Sequence, residues 1–388
     1  MTTAFEFTTV PALIVDHGAA RRLGAILRKR HAATRLCLVT DAFLHRSGLL
    51  APTLADLKDH GFDVTVIDDV VADPPDHVVL AASARALESR AEIVVGLGGG
   101  SSMDVAKLIA VLAASDQQLA DMYGIGNVRG PRLPLIQVPT TAGTGSEVTH
   151  ISIVTTGATT KSGVVSPMLY ADLAILDAEL TMGLPPAATA ATGIDAMVHA
   201  IEAYTSAKLK NPLSDMLAQK ALTLLAANIV TACQDGSNRA AREAMLLGAT
   251  LAGQAFSNSP VAAVHALAYP LGGNFHVPHG LSNALVLPHV LRFNASHAAD
   301  QYADIASWIV TENFDHGASA AEKTEALIAW LDRIAVATGV TRRLRDVGVA
   351  MSDLPLLASD AMKQQRLLTN NPRELNEADA LAIYTAAF

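Results

Sequence analysis

The stretch 193-GIDAMVHAIEAYTS-206 puts ionisable side chains at helical spacing inside an apolar segment. Asp195 and His199 are four residues apart, so on a helix they share one face, about one turn apart. Glu202 follows three residues after His199. A carboxylate and an imidazole placed this way can ligate one cation. Downstream, 264-VHALAYPLGGNFHVPHGLSNALVLPHV-290 supplies His265, His276, His279 and His289. One carboxylate with imidazoles suits a divalent transition metal such as Fe or Zn. A metal there would act as a Lewis acid on an alcohol oxygen and lower its pKa, so that hydride can leave. Spacing does not choose among the four downstream histidines. Asp195 could equally cap its helix, and each histidine could be a packed residue.

A second chemistry is written in glycines and hydroxyls. The run 94-VVGLGGGSSMD-104 sets Gly98, Gly99 and Gly100 between a strand and a helix. Glycines let the backbone approach a ligand without Cβ interference, and amides at a helix start attract phosphate. Ser101 can donate a hydroxyl or cap that helix. The loop 139-PTTAGTGSEVT-149 follows the next strand. Its Thr140, Thr141, Thr144 and Ser146 could contact a ribose, a phosphate or a nicotinamide amide; the plain alternative is a polar loop with helix caps. Asp41 ends an early strand, where a carboxylate can accept from both adenosine ribose hydroxyls and repel a 2′-phosphate, favouring NAD over NADP.

These residues need positioning elements. Residues 35–41, 62–70, 91–100 and 133–141 read as strands, and 49–61, 74–90 and 101–115 as helices. That alternation predicts a parallel sheet flanked by helices, with a ligand crevice at the strand ends. Continuous apolar strands fit a sheet covered on both faces. Beyond about residue 180 strand signals fade and 3.6-residue periodicity takes over, with Pro185-Pro186 as a boundary mark. The expected division is an α/β NAD-binding domain over 1–182 and an all-helical metal-binding and catalytic domain over 183–388.

Bulk properties narrow the class. Of 388 residues, 51% are apolar and 17% charged, as in a globular enzyme. A net charge of −9 without a Lys/Arg run argues against a nucleic-acid partner. Cys37 and Cys233 form no C-x-x-C pair, which disfavours a disulfide framework or a thiolate metal site. The N-terminus lacks a basic segment followed by an apolar run, and nothing approaches eighteen uninterrupted apolar residues. The expectation is a cytoplasmic protein with no membrane partner.

Taken together, "GGGSSMD", "PTTAGTGSEVT", "TGIDAMVHAIEAYTS" and "PHGLSNALVLPHVLRFN" resemble the iron-containing (group III) alcohol dehydrogenase family, in its order and spacing. The resemblance implies metal ligation by Asp195, His199, His265 and His279, setting His276 and His289 aside. It implies NAD on Gly98, Gly99, Gly100 and Ser101, with further contacts from Asp41, Asp104, Thr140, Thr141, Thr144, Ser146, Lys161 and Leu180, and Phe256 near the nicotinamide. It implies an α/β dinucleotide-binding domain with a parallel sheet, then an all-α domain, with catalysis in the cleft and a homodimer as the common assembly. The metal would be Fe(II), with Zn(II) as the other choice, and the substrate a small alcohol or aldehyde. One position departs from the family: many members have "H-x-x-x-H-P" where this chain has His265-Ala-Leu-Ala-Tyr269-Pro270. Tyr269 stands where a histidine is thought to assist proton transfer, and a phenol with an ordinary pKa near 10 is a poorer shuttle at neutral pH. Reduction of an oxo-acid or semialdehyde, or transhydrogenation of a hydroxy acid, is the alternative on the same fold.

Overall fold

In the computed structural model, residues 4–157, 160–312 and 314–388 are described. The chain divides into two compact units, Thr9–Gly183 and Leu184–Phe388, the latter joined by the N-terminal stretch that ends at Thr8. In chain order the first unit contains β1 (Leu13–Val15), α1 (Leu23–Arg28), β2 (Arg35–Asp41), α2 (Ala42–Arg46), α3 (Ala51–Asp59), β3 (Asp63–Val70), α4 (Asp76–Glu88), β4 (Ile93–Gly98), α5 (Gly100–Leu112), β5 (Gly124–Ile125), β6 (Leu135–Pro139), β7 (Ile151–Thr156), β8 (Thr160–Val165) and β9 (Leu173–Leu176). Six strands form one sheet in the order β1-β9-β6-β4-β2-β3, and every pairing in it is parallel.

The central strands β4 and β6 are buried at every residue. Their mostly Val, Ile and Leu content, with Gly96 and Gln137 inside it, fits a doubly covered parallel sheet. Because the strands are parallel, Asp41, Gly98 and Pro139 all end on the same edge. The sequence reading anticipated β2, β3, β4 and β6 with the helices between them. It lacked β1 and β9, and it lacked the small second sheet β5-β8-β7, in which β7 and β8 form an antiparallel hairpin.

The second unit is helical: α6 (Pro186–Thr205), α7 (Pro212–Gln234), α8 (Arg239–Asn258), α9 (Ala263–Phe275), α10 (His279–Ile309), α11 (Ala320–Ala337), α12 (Leu354–Ala361), α13 (Gln365–Leu368) and α14 (Glu377–Ala387). By length and composition α7 could cross a membrane, but here its Ala218, Ala221, Leu222, Leu225 and Ile229 are buried in a helical unit. The N-terminal stretch is tied in where the Thr8 N–H donates to Asn258 Oδ1 at 2.8 Å. Close packing sets the start of α10. A Cβ on Gly280 would stand 2.2 Å from the Ala191 carbonyl oxygen, so glycine is what lets α10 begin against the backbone of α6.

Candidate active site

Three helices of the second unit converge on four donors. Asp195, His199 and Glu202 lie on one face of α6, at 2%, 4% and 4% exposure. His265 comes from the first turn of α9, and His279 is the first residue of α10, just after Pro278. One ligand atom from each of Asp195, His199, His265 and His279 lies within 4.8 Å of all the others. Asp195 Oδ1 is 3.6 Å from His279 Nε2 and 3.9 Å from His265 Nε2. The His199 ring stacks on that of His265, with centroids 4.7 Å apart at 23°. His279 is the most open of the four side chains, at 37% exposure.

The other two downstream histidines stand elsewhere. His276 ends α9 in the left-handed conformation, with φ 55°. His289 lies further along α10, where burial followed by the charge of Arg292 pushes its pKa down. The chain reversal between α9 and α10 brings His265 and His279, and not His276 or His289, into the group with Asp195 and His199.

Burial pushes the Asp195 carboxyl up, but the imidazoles of His199, His279 and His265 and the Asn283 amide outweigh it. The group is held below the ordinary aspartate range. Among the described residues no lysine or arginine pairs with it. Buried charge without a protein counter-ion is costly unless a metal is coordinated. Asn283 Nδ2 donates to Asp195 Oδ1 at 2.6 Å and lies 3.3 Å from Nε2 of both His265 and His279, while its own Oδ1 is buried without a hydrogen-bond partner. A neutral amide donor thus faces lone pairs from three candidate ligands. One carboxylate and three imidazoles, converged and lacking a cationic side chain, fit a divalent transition metal.

The first unit presents the glycine and hydroxyl loops at one sheet edge. Gly99 precedes α5, whose first turn is Gly100, Ser101 and Ser102. A Cβ on Gly100 would stand 2.7 Å from Thr144 Cγ2, so the two loops touch and the first needs its glycine. The Thr140 N–H donates to the Gly98 carbonyl at 3.0 Å, and Thr141 lies beside Gly99. Asp41 caps α2 by accepting from the Leu44 N–H at 2.9 Å. Lys161 pairs with Asp73 at 2.5 Å, and the Asp73 N–H donates to Ser101 Oγ at 3.3 Å, linking Lys161 to the loop through one residue. Leu180 packs into the apolar core of this unit. Phe256 belongs to the helical unit, stacked on His199 with centroids 4.3 Å apart at 21°.

Two of these candidates are engaged by the protein itself. Ser146 Oγ donates to Asp104 Oδ1 at 2.5 Å, and the Ile153 N–H donates to Asp104 Oδ2 at 2.9 Å. The fully buried Lys107 Nζ donates to Ser146 Oγ at 2.7 Å, the Ile151 carbonyl at 2.7 Å, Thr149 Oγ1 at 3.1 Å and Asp104 Oδ1 at 3.2 Å. This network ties α5 to the 139–151 loop and holds the glycine and hydroxyl segments in register.

Residues 11–178 match the family described as iron-containing alcohol dehydrogenase, and residues 189–388 match the C-terminal part of the Fe-containing alcohol dehydrogenase family. The chain belongs to the iron-containing alcohol dehydrogenase family. It is similar to long-chain-alcohol dehydrogenase 1 of Geobacillus thermodenitrificans (strain NG80-2), at 42% identity over 93% of this chain and 91% of that one. It is also similar to 1,3-propanediol dehydrogenase of Klebsiella pneumoniae, at 39% identity over 90% of each. The crystal structure of a 1,3-propanediol oxidoreductase superposes with a TM-score of 0.94 at 36% identity, covering 100% of both chains. As a member of this family the protein is an NAD-dependent, metal-dependent oxidoreductase of alcohols and their carbonyl products.

Within this iron-type dehydrogenase, three residues around the two candidate sites had no role assigned from sequence. Glu202, which helical spacing sets one turn after His199, is buried against His265. Asn283 follows His279 by one helical turn, a spacing that could have flagged it. Lys107 stands three residues after Asp104 in an otherwise apolar helix, and a cation there signals an internal partner.

Proposed function

We propose that Asp195, His199, His265 and His279 hold the metal of an NAD-dependent dehydrogenase for aliphatic primary alcohols, which reduces the aldehyde in reverse. The observation that carries this reading is the convergence of four buried or half-buried donors within 4.8 Å. When bound, the metal supplies Lewis acidity that lowers the pKa of an alcohol hydroxyl, and the nicotinamide supplies the hydride acceptor. Fe(II) is the family's metal, and Zn(II) suits the same donors. Gly98, Gly99, Gly100 and Ser101 bind the diphosphate through backbone amides at the start of α5. Asp41 receives the adenosine ribose, and Thr140, Thr141 and Thr144 complete the cofactor wall, with Asp104 and Ser146 keeping that wall in place from behind. Phe256 holds the His199 ring by stacking. Tyr269 has its ring centroid 5.9 Å from that of His279, and it takes the proton-handling position at the mouth of the cluster. The substrate class follows the names of the relatives, and a homodimer follows the family.

The test is a screen of NAD⁺ reduction over straight-chain alcohols, diols and hydroxy acids, using protein reconstituted with iron or with zinc. NADH formation from primary alcohols that depends on added metal supports the reading. Turnover confined to hydroxy acids, or equal turnover by chelated protein, refutes it.

A further inference from the structure

Glu202 is a buried carboxylate beside the ligand set that the set does not use. It follows Asp195 and His199 on the same face of α6, and both of its oxygens are engaged. Oε1 accepts from the Val264 N–H at 2.7 Å, and Oε2 stands 2.6 Å from His265 Nδ1. Val264 and His265 lie in the first turn of α9, where backbone N–H groups have no intrahelical acceptor. Ala262, the residue before that helix, offers no side-chain cap. Glu202 therefore caps α9 from a neighbouring helix with the same carboxylate that touches His265.

The chemistry of the pair fixes the imidazole. A carboxylate only accepts, so His265 Nδ1 carries a proton, and in the neutral ring Nε2 then carries the lone pair. The opposite end of the ring agrees independently: Nε2 lies 3.3 Å from Asn283 Nδ2, which is a donor. Nε2 also faces Asp195 Oδ1 at 3.9 Å, inside the cluster. We propose that Glu202 is a positioning residue of the metal centre, locking His265 by its Nδ1–H into the tautomer and ring orientation that turn Nε2 toward the metal. The proposal rests on the ligand set given above. A plain helix cap or space-filling carboxylate would stabilise α9 without dictating which ring nitrogen is protonated.

Glu202→Gln separates the two roles, because it keeps the shape and exchanges one acceptor for a donor. An amide oxygen can serve Val264, but the NH₂ group then faces Nδ1 and favours the tautomer with Nε2 protonated. If the amide turns over, its NH₂ opposes the Val264 N–H instead. Zinc affinity, measured by competition with a chromophoric chelator, is expected to fall about 10- to 100-fold, the range seen when outer partners of ligating histidines are lost. In ¹⁵N-histidine-labelled, metal-free wild-type chain, His265 is expected to show a protonated Nδ1 and a bare Nε2, with its signals assigned by their loss in His265→Gln. Glu202→Gln should invert that pattern. Wild-type zinc affinity in folded Glu202→Gln, or a wild-type His265 with Nε2 protonated, overturns the proposal. The wild-type spectrum decides the matter even if the variant does not fold. Asp195→Ala measured in parallel keeps the outcomes distinct. If it loses zinc while Glu202→Gln does not, only the positioning role fails; if it keeps zinc at wild-type affinity, the ligand set itself is wrong.

Discussion

Two carboxylates on long apolar helices meet opposite fates in this protein. Asp104 on α5 has a lysine of its own: Lys107 lies 3.2 Å away and is fully buried, and Ser146 and the Ile153 amide complete its shell. Asp195 on α6 is more enclosed, at 3% side-chain exposure against 15% for Asp104, and its neighbours are three imidazoles and one neutral amide. Burial pushes the Lys107 ammonium below its usual range, with the charges of Asp104 and Glu147 pulling the other way. That is the behaviour of an internal pair that settles its own electrostatics. The Asp195 cluster instead gathers four candidate ligand atoms with no lysine or arginine paired to them among the described residues. The first arrangement ties a loop to a helix; the second is the donor group proposed to hold a metal.

This contrast can be broken at several points. The largest effect is expected for Asp195→Ala, with kcat/KM lowered on the order of a thousand-fold, the several kcal/mol that Lewis-acid catalysis contributes. Bound metal should fall with it, while chemical denaturation of the two proteins compared metal-free should differ little. Retention of both activity and metal would remove Asp195 from the site. Lys107→Met should do the reverse. It leaves Asp104 without its cation and should lower unfolding free energy by about 3 kcal/mol, as when one partner of a buried pair is removed. Metal affinity should stay at the wild-type value, and a metal loss equal to that of Asp195→Ala would erase the distinction between the two carboxylates.

Metal removal by chelation should destabilise the wild type by about 2.7 kcal/mol relative to protein in metal at a hundredfold above Kd, and the loss should be reversed by re-addition. Applied to Asp195→Ala, the same treatment should leave the thermal midpoint where it was. The smallest effect belongs to the cofactor edge. Asp41→Asn should raise the NADPH/NADH ratio of kcat/KM by about tenfold, because the carboxylate no longer repels a 2′-phosphate. An unchanged ratio would reduce Asp41 to the α2 cap that it also forms.

Much of this was legible beforehand, and the gaps have physical reasons. Strands β2 and β3 are long and β4 and β6 are mostly apolar, and tight glycine turns or helical periodicity bracket them. Strands β1 and β9 have only three and four residues, and their identity comes from pairing with each other at the sheet edge. Strands β7 and β8 carry Ser, Thr and Lys in a hairpin whose local pattern resembles a polar loop. In the candidate site, Asp195 and His199 were readable because a helix makes their spacing local. His265 and His279 were not separable by spacing from His276 and His289. The distinction arises where the chain reverses after Phe275 and Gly280 permits contact with Ala191. Glu202 and Asn283 share helix faces with Asp195 and His279, respectively, but they act across 63 and 88 positions of sequence, and helical spacing gives the face without naming the partner.

The central claim is that a metal sits among one carboxylate and three imidazoles. X-ray absorption at the zinc edge of zinc-reconstituted protein tests it most directly. The account predicts an inner shell of nitrogen and oxygen at about 2.0–2.2 Å with the multiple scattering of three imidazoles, reduced to two in His279→Ala. A sulfur shell at about 2.3 Å, which would enlist Cys37 or Cys233, or a shell unchanged in His279→Ala, would contradict it.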